Sequence, residues 1–330
     1  MSEPGIAVIG AGAWGTALAQ MLGADGTPVL LWARDAALAQ AINAGHSNEI
    51  YLPSATLSPS IRATSTLAEV EERPIALLVT PAQALGGVLG AMAAPPRDLV
   101  LCAKGIEAGS GRLMNEVARA AAPGSAIAVL SGPNFAHEVA AGLPTAATLA
   151  CHGGEAQWQR LAPAIARPAF RPYYSDDVTG AEIGGAVKNV LAIACGVVEG
   201  LGLGLNARSA LIARGYAEML RFGEALGART ATLAGLCGLG DLVLTCTSTA
   251  SRNFSLGKAL GEGQLAADLL RDRRTVAEGA YTAPVLCRLA ARHGVTMPIV
   301  NAVNRLLAGT PARAVAHDLL ARPLAAEAQD

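Results

Sequence analysis

The sequence has few aromatic residues and few charged ones, and its charges are balanced. Aromatic side chains make up 4 % of the 330 residues and charged ones 15 %, with 25 Lys and Arg against 26 Asp and Glu. Without a basic stripe, and with little aromatic surface for base stacking, the chain is not typical of a nucleic-acid-binding protein. Hydrophobic residues reach 52 %, which excludes a disordered chain and predicts substantial cores, with length enough for two domains.

Several site signatures are also missing. The six cysteines form no C-x-x-C pair, and most lie in apolar runs, so we interpret them as reduced, buried thiols of a cytoplasmic protein. No His-x-x-x-His spacing indicates a metal site, and no G-x-S-x-G motif indicates a serine nucleophile. A strand is predicted to begin at Ile6, so we expect no signal peptide before it. Charged residues, Gly or Pro interrupt the apolar runs before the roughly 20 residues of a membrane span, so we expect no integral membrane segment.

The first motif is a glycine fingerprint between a strand and a helix. Ile6–Ile9 is predicted as a strand, and helical sequence begins at Thr16. Between them, Gly10 permits a tight turn, Gly12 lets the backbone approach a pyrophosphate, and Gly15 lets the helix pack on the strand. The helix N-terminus then offers free N–H groups to the phosphates. The alternative is a plain glycine turn.

The end of the second strand, residues 28–32, carries Arg34 and Asp35. At this place an acidic residue binds the ribose 2′-hydroxyl of NAD, whereas an arginine accommodates the 2′-phosphate of NADP. Arg34 therefore leads to the hypothesis that NADP is preferred over NAD. Asp35 has an alternative role, as the cap of a helix that starts at Ala36.

Strands and helices alternate through the first half, which predicts a doubly wound, mainly parallel α/β sheet of the Rossmann type. Further strands are predicted at residues 75–80, 99–103, 126–130, 145–151 and 170–174. Ligands of such sheets bind beyond the carboxyl ends of the strands, where Lys104 and Ser131-Gly132-Pro133 fall. A lysine directly after a buried strand indicates an anionic ligand.

After about residue 174 the strand signals end, and the second half is predicted to be an all-helical domain. We therefore expect a dinucleotide-binding domain over residues 1–177 and a helical substrate-binding domain over residues 178–330. Residues 182–199 form an apolar helix that is predicted to be buried, and Lys188 lies inside it. Small side chains share the face of Lys188, which leaves room for a ligand. The alternative is a lysine that extends to solvent along its aliphatic stem.

Two polar groups follow in apolar surroundings. Asp241 comes after a glycine-rich segment and is a candidate functional carboxylate. The alternative is a helix N-cap, a role that the same residue can fill as well. Ser251, Arg252 and Asn253 are adjacent, and the guanidinium fork of Arg252 fits phosphate oxygens. The alternative for Arg252 is a solvated surface residue.

With these motifs in place, the chain resembles the bacterial type of NAD(P)-dependent glycerol-3-phosphate dehydrogenase. The resemblance runs nearly from end to end, through GAGAWGTALA at residues 10–19, KGIE at 104–107, SGP at 131–133, EIGGAVKNVLAI at 182–193, LIARGYAEML at 211–220, GLCGLGD at 235–241, SRN at 251–253 and TVAEG at 275–279.

The resemblance implies a Rossmann domain joined to a helical domain of the 6-phosphogluconate-dehydrogenase type. It implies reversible hydride transfer between dihydroxyacetone phosphate and sn-glycerol 3-phosphate, which supplies phospholipid synthesis, with Lys188 as the proton donor or acceptor. Asp241 is the second proposed catalytic residue, which orients Lys188 or binds a substrate hydroxyl. The implied substrate contacts are Lys104, Gly132, Asn134, Lys188, Asp241, Ser251, Arg252 and Asn253. The predicted cofactor contacts are Gly10, Gly12, Ala13, Trp14, Gly15, Arg34, Lys104, Ala136, Arg252, Val276 and Glu278.

The sequence departs from the family pattern at three positions. Asn134 stands where Ser or Thr is expected, Ala13 replaces a frequent Ser, and Leu205 stands where an acid is usual. Two other functions stay open: a dehydrogenase of the same architecture acting on a 3-hydroxy acid, and a non-catalytic NAD(P)-sensing protein. The predicted partner is a small phosphorylated substrate, no metal is expected, and a homodimer is the default expectation.

Overall fold

The computed structural model describes residues 5–271 and 277–323. Their contacts divide the chain into two compact units, residues 1–103 with 112–181, and residues 104–111 with 182–330. The short segment 104–111, which carries Lys104, thus belongs to the second unit although residues of the first unit precede and follow it in the chain. The predicted domain division at residues 177 and 178 stays a prediction, because a division by contacts does not show where independently folding domains meet.

The first unit is built around one sheet of eight strands in the order β10-β9-β8-β7-β6-β1-β2-β5. All neighbours are parallel except β8 and β9, which are antiparallel. Its ten strands, including the separate hairpin β3-β4, are β1 (Ile6–Ile9), β2 (Val29–Trp32), β3 (Ser47–Asn48), β4 (Leu52–Thr56), β5 (Ile61–Thr64), β6 (Ile75–Leu78), β7 (Asp98–Leu101), β8 (Ala126–Ser131), β9 (Thr145–Cys151) and β10 (Phe170–Ser175).

The strand order confirms the predicted doubly wound, mainly parallel sheet. From the β5 edge, six strands follow the dinucleotide-binding order, with the reversal between β1 and β6, where a crevice forms at the carboxyl ends. Strands β1, β2 and β7 are buried along their whole length, as the continuous apolar runs of a covered parallel sheet require. The helices of this unit are α1 (Ala13–Gly23), α2 (Ala36–Gly45), α3 (Ala68–Glu71), α4 (Leu85–Gly90), α5 (Met114–Ala121), α6 (Ala136–Ala140) and α7 (Gly154–Ile165), with a 3₁₀ turn at Ala82–Ala84.

The second unit has no strand among its described residues. Its helices, the first of which starts in the preceding unit, are α8 (Val178–Gly200), α9 (Gly204–Ala225), α10 (Thr230–Leu233), α11 (Asp241–Cys246), α12 (Arg252–Gly261), α13 (Ala266–Leu269), α14 (Glu278–Arg292), α15 (Pro298–Leu307) and α16 (Ala312–Leu320), with a π-helical segment at Leu236–Gly240. These bounds confirm the predicted helical half.

Helix α8 is the centre of the second unit. Among the described residues it is the one helix long and apolar enough to cross a membrane, and 94 % of its most apolar window is buried inside the protein. That degree of burial is the mark of a core helix. A charged side chain carried by such a helix is held rigidly and away from bulk water.

Candidate active site

Lys188 lies in the buried part of α8, with only 9 % of its side chain exposed. Its Nζ donates hydrogen bonds to Asp241 Oδ1 at 2.6 Å and to Thr245 Oγ1 at 2.8 Å. The alternative of a lysine extended to solvent is therefore wrong. A lysine ammonium has three N–H donors, and among the described residues the third has no partner. That donor is the one left for a ligand.

Glycines bring Lys188 and Asp241 together. Gly184, one helical turn before Lys188, approaches the π-helical segment so closely that a Cβ there would lie 2.5 Å from the carbonyl oxygen of Cys237. Gly238 packs as tightly, since its Cβ would lie 1.9 Å from the Leu233 carbonyl oxygen. Residues four apart share a helix face, so the contact at Gly184 sets Lys188 opposite the next helical turn, which carries Asp241. Short π-helical segments are frequent at functional sites.

Asp241 is 1 % exposed and holds two lysines with one carboxylate. Lys104 Nζ lies 2.7 Å from Oδ2, and Lys188 Nζ lies 2.6 Å from Oδ1. Asp241 is the first residue of α11, and the residue before it, Gly240, already has helical dihedrals. The helix N-cap alternative is therefore wrong, because the carboxylate binds lysines instead of backbone N–H groups. We call Lys104, Lys188, Asp241 and Thr245 the lysine–aspartate cluster.

Burial and neighbouring charges set the protonation of this cluster. Burial lowers the pKa of Lys188 from 10.5 to about 8, with Lys104 adding to the decrease and Asp241 opposing it. For Asp241, burial acts to raise the pKa, but the two ammonium groups outweigh it and hold the pKa below its ordinary value. With two lysines and one carboxylate, the cluster carries a positive charge near neutral pH, which suits an anionic substrate.

Two residues of this site were not predicted from the sequence. The Thr245 hydroxyl accepts from Lys188 and donates to Asp241 Oδ1 at 3.2 Å, four residues away on the same helix. Asn189 donates through Nδ2 to the backbone oxygens of Lys104 at 3.0 Å and Gly185 at 3.2 Å. Helical spacing from Asp241 could have identified Thr245, and adjacency to Lys188 could have identified Asn189.

The Ser-Arg-Asn segment opens α12. Ser251 caps this helix by accepting from the Phe254 N–H, and Arg252 is exposed. The Asn253 amide is buried and bridges two other helices, since Nδ2 donates to Asn189 Oδ1 at 2.9 Å and Oδ1 accepts from the Gly279 N–H at 3.0 Å. Of the three predicted phosphate contacts, Arg252 is thus the one whose side chain reaches solvent.

The other predicted cofactor residues of the second unit lie near residue 276. Glu278 is the first residue of α14, directly before the Gly279 N–H that Asn253 holds. Val276 lies outside the described residues.

The glycine loop of the first unit has the shape that a dinucleotide requires. Gly10 has φ +117°, and a Cβ on Gly15 would lie 1.8 Å from the Gly10 carbonyl oxygen. A Cβ on Gly12 would meet nothing within 4 Å, so the space beside it is open. Helix α1 begins at Ala13 with Gly12 as a cap that has no side chain, and the buried Trp14 Nε1 has no partner among the described residues. Open backbone N–H groups at a helix N-terminus fit the pyrophosphate of NAD or NADP.

Arg34 and Asp35, which follow β2, have different contacts. Asp35 caps α2 by accepting from the Ala37 N–H at 2.9 Å, which confirms the alternative given for it. Arg34 is exposed. The acidic side chain is therefore engaged with its own helix, and the arginine is the group free to turn toward a ribose substituent.

Three predicted residues lie at and after the end of β8. A Cβ on Gly132 would lie 2.8 Å from Ala147 Cα, so glycine allows this segment to pack on β9. Asn134 donates through Nδ2 to Thr145 Oγ1 at 2.7 Å and to the Ala146 carbonyl at 3.1 Å. Ala136 is the first residue of α6. The amide at position 134 thus ties the loop to β9.

Comparison with known proteins assigns both halves of the chain to one family. Residues 5–157 match the family model of the NAD-dependent glycerol-3-phosphate dehydrogenase N-terminus, and residues 177–316 match that of the C-terminus. The glycerol-3-phosphate dehydrogenase [NAD(P)+] of Erythrobacter litoralis is 71 % identical over 98 % of this chain and 97 % of its own length. That of Novosphingobium aromaticivorans is 68 % identical over 98 % of both chains. The crystal structure of glycerol-3-phosphate dehydrogenase from Coxiella burnetii has a TM-score of 0.90 and 39 % identity, over 96 % of this chain and 99 % of its own.

Proposed function

The chain belongs to the family of NAD-dependent glycerol-3-phosphate dehydrogenases, and from that premise we propose how it interconverts dihydroxyacetone phosphate and sn-glycerol 3-phosphate. The product, glycerol 3-phosphate, supplies the backbone of phospholipids. The observation that carries the proposal is the buried Lys188, paired with Asp241 and left with one N–H donor. Hydride transfer to or from the substrate carbon is the chemistry that a bound nicotinamide supplies.

In the reducing direction, negative charge grows on the carbonyl oxygen of the substrate. The Lys188 ammonium stabilises that charge and gives the oxygen its proton, which leaves a neutral amine. A pKa of about 8 suits this task, because both the charged and the neutral form are accessible near neutral pH. In the oxidising direction the neutral amine takes the hydroxyl proton.

The rest of the lysine–aspartate cluster holds Lys188 ready for this exchange. Asp241 and Thr245 fix two of the ammonium N–H directions, so the remaining one points to a single place. Lys104 shares the carboxylate and adds positive charge near the substrate. Preorganised charges of this kind stabilise a developing charge more strongly in a site that excludes water than in bulk water.

The phosphate of the substrate gives binding energy away from the reacting carbon. We assign its binding to Arg252, which is exposed and has a guanidinium suited to phosphate oxygens. The side chains of Ser251 and Asn253 accept hydrogen bonds from backbone N–H groups of α12 and α14. We propose that they support Arg252 indirectly, because these bonds fix the backbone on either side of it. Binding remote from the carbonyl positions it for transfer. Gly132 and Asn134 stay proposed contacts from the family resemblance.

The cofactor is NAD or NADP, and we propose that NADP is preferred. Arg34 is exposed after β2, while Asp35 is occupied as a helix cap. An arginine accommodates the 2′-phosphate that only NADP carries. Measuring kcat/KM with NADPH and NADH tests this preference. An NADH preference that persists in Arg34→Ala would contradict it.

One assay tests the activity itself. Loss of NADPH or NADH absorbance is followed with dihydroxyacetone phosphate, and with 3-keto acids as controls. We expect turnover with dihydroxyacetone phosphate and no turnover with the 3-keto acids. Turnover with a 3-keto acid instead would assign a 3-hydroxy acid dehydrogenase, and binding of NADPH without turnover would assign a sensor.

We further propose a cytoplasmic homodimer. All six cysteines are free thiols in the structure, as in proteins of a reducing compartment. Two-fold dimers are the commonest assemblies among soluble homo-oligomers. Sedimentation at micromolar concentration tests the oligomeric state, and a monomer would contradict the proposal.

A further inference from the structure

A small hairpin carries a buried asparagine toward the glycine loop. Helix α2 ends with His46 in the left-handed region, at φ 44°, and the chain then forms β3 and β4. Leu52 and Leu57 are buried and anchor this hairpin in the core of the first unit. Asn48, on β3, is 1 % exposed. Buried amides are almost always hydrogen-bonded, so the partners of Asn48 indicate which segments the hairpin holds.

Both N–H donors of the Asn48 amide bind the glycine loop or the helix that follows it. Nδ2 donates to the Ala11 carbonyl at 2.9 Å and to Thr16 Oγ1 at 2.8 Å. Oδ1 accepts from the Tyr51 N–H at 3.2 Å, within the hairpin turn. One side chain therefore joins three segments: the hairpin, the loop between Gly10 and Gly12, and the first turn of α1.

The bond to the Ala11 carbonyl has a geometric consequence for the next residue. No peptide bond is cis among the described residues. In a trans peptide the C=O and the following N–H point in opposite directions. Fixing the Ala11 carbonyl toward Asn48 therefore fixes the Gly12 N–H away from it. The space beside the Gly12 Cα is open, since a Cβ there would meet nothing within 4 Å.

We propose that Asn48 is a positioning residue for the cofactor, which holds the Ala11–Gly12 peptide and the first turn of α1 in the orientation that presents backbone N–H groups to the pyrophosphate. This inference rests on the proposed use of NAD or NADP. Neither the glycine fingerprint nor the family resemblance points to residue 48. The benefit is preorganisation, because a loop fixed before binding loses less conformational freedom on binding.

The chain offers a matched control for the test. Asn43, on α2 of the same unit, also uses its amide on the backbone: Nδ2 donates to the Ala63 carbonyl at 2.9 Å, and Oδ1 accepts from the Ala63 N–H at 2.7 Å. Its partner lies on β5 and not on the glycine loop. Asn43 is an exposed residue, so Asn43→Ala removes two amide-to-backbone hydrogen bonds of the same unit at a less buried position and away from the glycine loop.

The first measurement is direct binding of NADPH to the full chain, without substrate, by cofactor fluorescence. Asn48→Ala is expected to raise Kd about tenfold, as the loss of two ordering hydrogen bonds implies, while Asn43→Ala stays within about twofold. At saturating NADPH, kcat of Asn48→Ala is expected to stay within about threefold, so the effect appears in binding and not in chemistry. Equal Kd values for both variants would overturn the proposal.

The second measurement is hydrogen exchange in the cofactor-free protein. Backbone amides from Gly12 to Thr16 are expected to exchange faster in Asn48→Ala than in Asn43→Ala. If Asn48→Ala does not fold, Thr16→Val and Thr16→Ser decide the matter, since only the second keeps the acceptor for Asn48. Weaker NADPH binding in Thr16→Val with recovery in Thr16→Ser supports the assignment, and equal binding overturns it.

Failure of the proposed function looks different from failure of this inference. A wild-type chain that binds NADPH and leaves dihydroxyacetone phosphate unreduced refutes the activity, while the Kd comparison still decides the role of Asn48. A wild-type chain that reduces the substrate, with Asn48→Ala binding NADPH as tightly as wild type, refutes only the inference.

Discussion

Asp241→Asn is the substitution whose consequences follow most fully from the structure. It keeps the shape of the side chain and removes the one negative charge that lies 2.7 Å from Lys104 Nζ and 2.6 Å from Lys188 Nζ. Burial already lowers the pKa of Lys188 to about 8, and Asp241 limits that decrease. Without the carboxylate, we expect the pKa of Lys188 to fall further, so a larger fraction of the amine is neutral near pH 7.5. The variant then has less of the ammonium that donates the proton in the reducing direction.

The magnitudes follow from these contacts. Loss of acid–base assistance typically costs a factor of about 10²–10⁴ in rate, which is the expected fall in kcat for reduction of dihydroxyacetone phosphate at pH 7.5. Removing one partner of a buried ion pair costs about 3–5 kcal/mol of stability. The loss of unfolding free energy is expected near the lower limit, because Lys188 can release its proton.

The assay measures NADPH oxidation between pH 6 and pH 10, together with urea unfolding. The alkaline limb of the reduction profile is expected to move to lower pH in Asp241→Asn. Asp98→Asn is the matched control, because Asp98 is also buried, with 4 % of its side chain exposed, and pairs with Arg160 at 3.0 Å. It is expected to lose stability and to keep the wild-type pH profile.

Two results would refute the reasoning. One is a kcat of Asp241→Asn within about tenfold of wild type, where loss of acid–base assistance costs more. The other is an alkaline limb that stays in place or moves to higher pH, since the removal of a negative neighbour can only lower the pKa of Lys188.

Three further predictions follow from single contacts. With the pKa of Lys188 at about 8, wild-type ketone reduction should decline and glycerol phosphate oxidation should rise as pH passes through about 8, and profiles that move together would contradict the role of Lys188. Thr245→Val removes a hydroxyl that accepts from Lys188, so kcat should fall about tenfold, the value of a hydrogen bond to a charged group, and recover in Thr245→Ser; equal rates would refute this. Burial raises the pKa of Glu218, which accepts from the Ile299 and Val300 N–H groups, from 4.5 to about 7. This folded-state pKa lies above the unfolded one, so the stability that Glu218 contributes below about pH 4.5 is lost as pH rises through 7. Over that range, the unfolding free energy of wild type, measured with urea, should decrease by about 3 kcal/mol relative to that of Glu218→Gln. Unfolding free energies that depend on pH in the same way in both proteins would refute this prediction.

Much of the fold could be predicted because its strands are strong apolar runs. Residues 145–151 were predicted as a strand, and β9 has the same bounds. The region between α2 and β6 was missed, although it holds β3, β4 and β5. Strand β5 has four residues and is the sheet edge, and β3 has two. Such short, half-polar strands carry no alternating pattern long enough to recognise.

The site was predicted unevenly for a similar reason. Lys188 stood out because a charge is conspicuous in an apolar helix, and Asp241 because of the glycines before it. Thr245 and Asn189 are polar residues of ordinary kinds, and only the packing of α11 and α8 shows what they bind. Asn48 was missed for the same reason, since its partner Ala11 lies 37 residues earlier in the chain. Contacts of this range depend on the tertiary fold and have no local signal.

The central claim is that Lys188 carries the proton in the reaction. Lys188→Met tests it most directly, because methionine has a similar length and suits a buried position, while Asp241 keeps Lys104 as its partner. We expect kcat for dihydroxyacetone phosphate reduction to fall by a factor of about 10²–10⁴ in a variant that stays folded, although the loss of one partner of a buried ion pair lowers its unfolding free energy. A stable Lys188→Met whose kcat stays within about tenfold of wild type would contradict it.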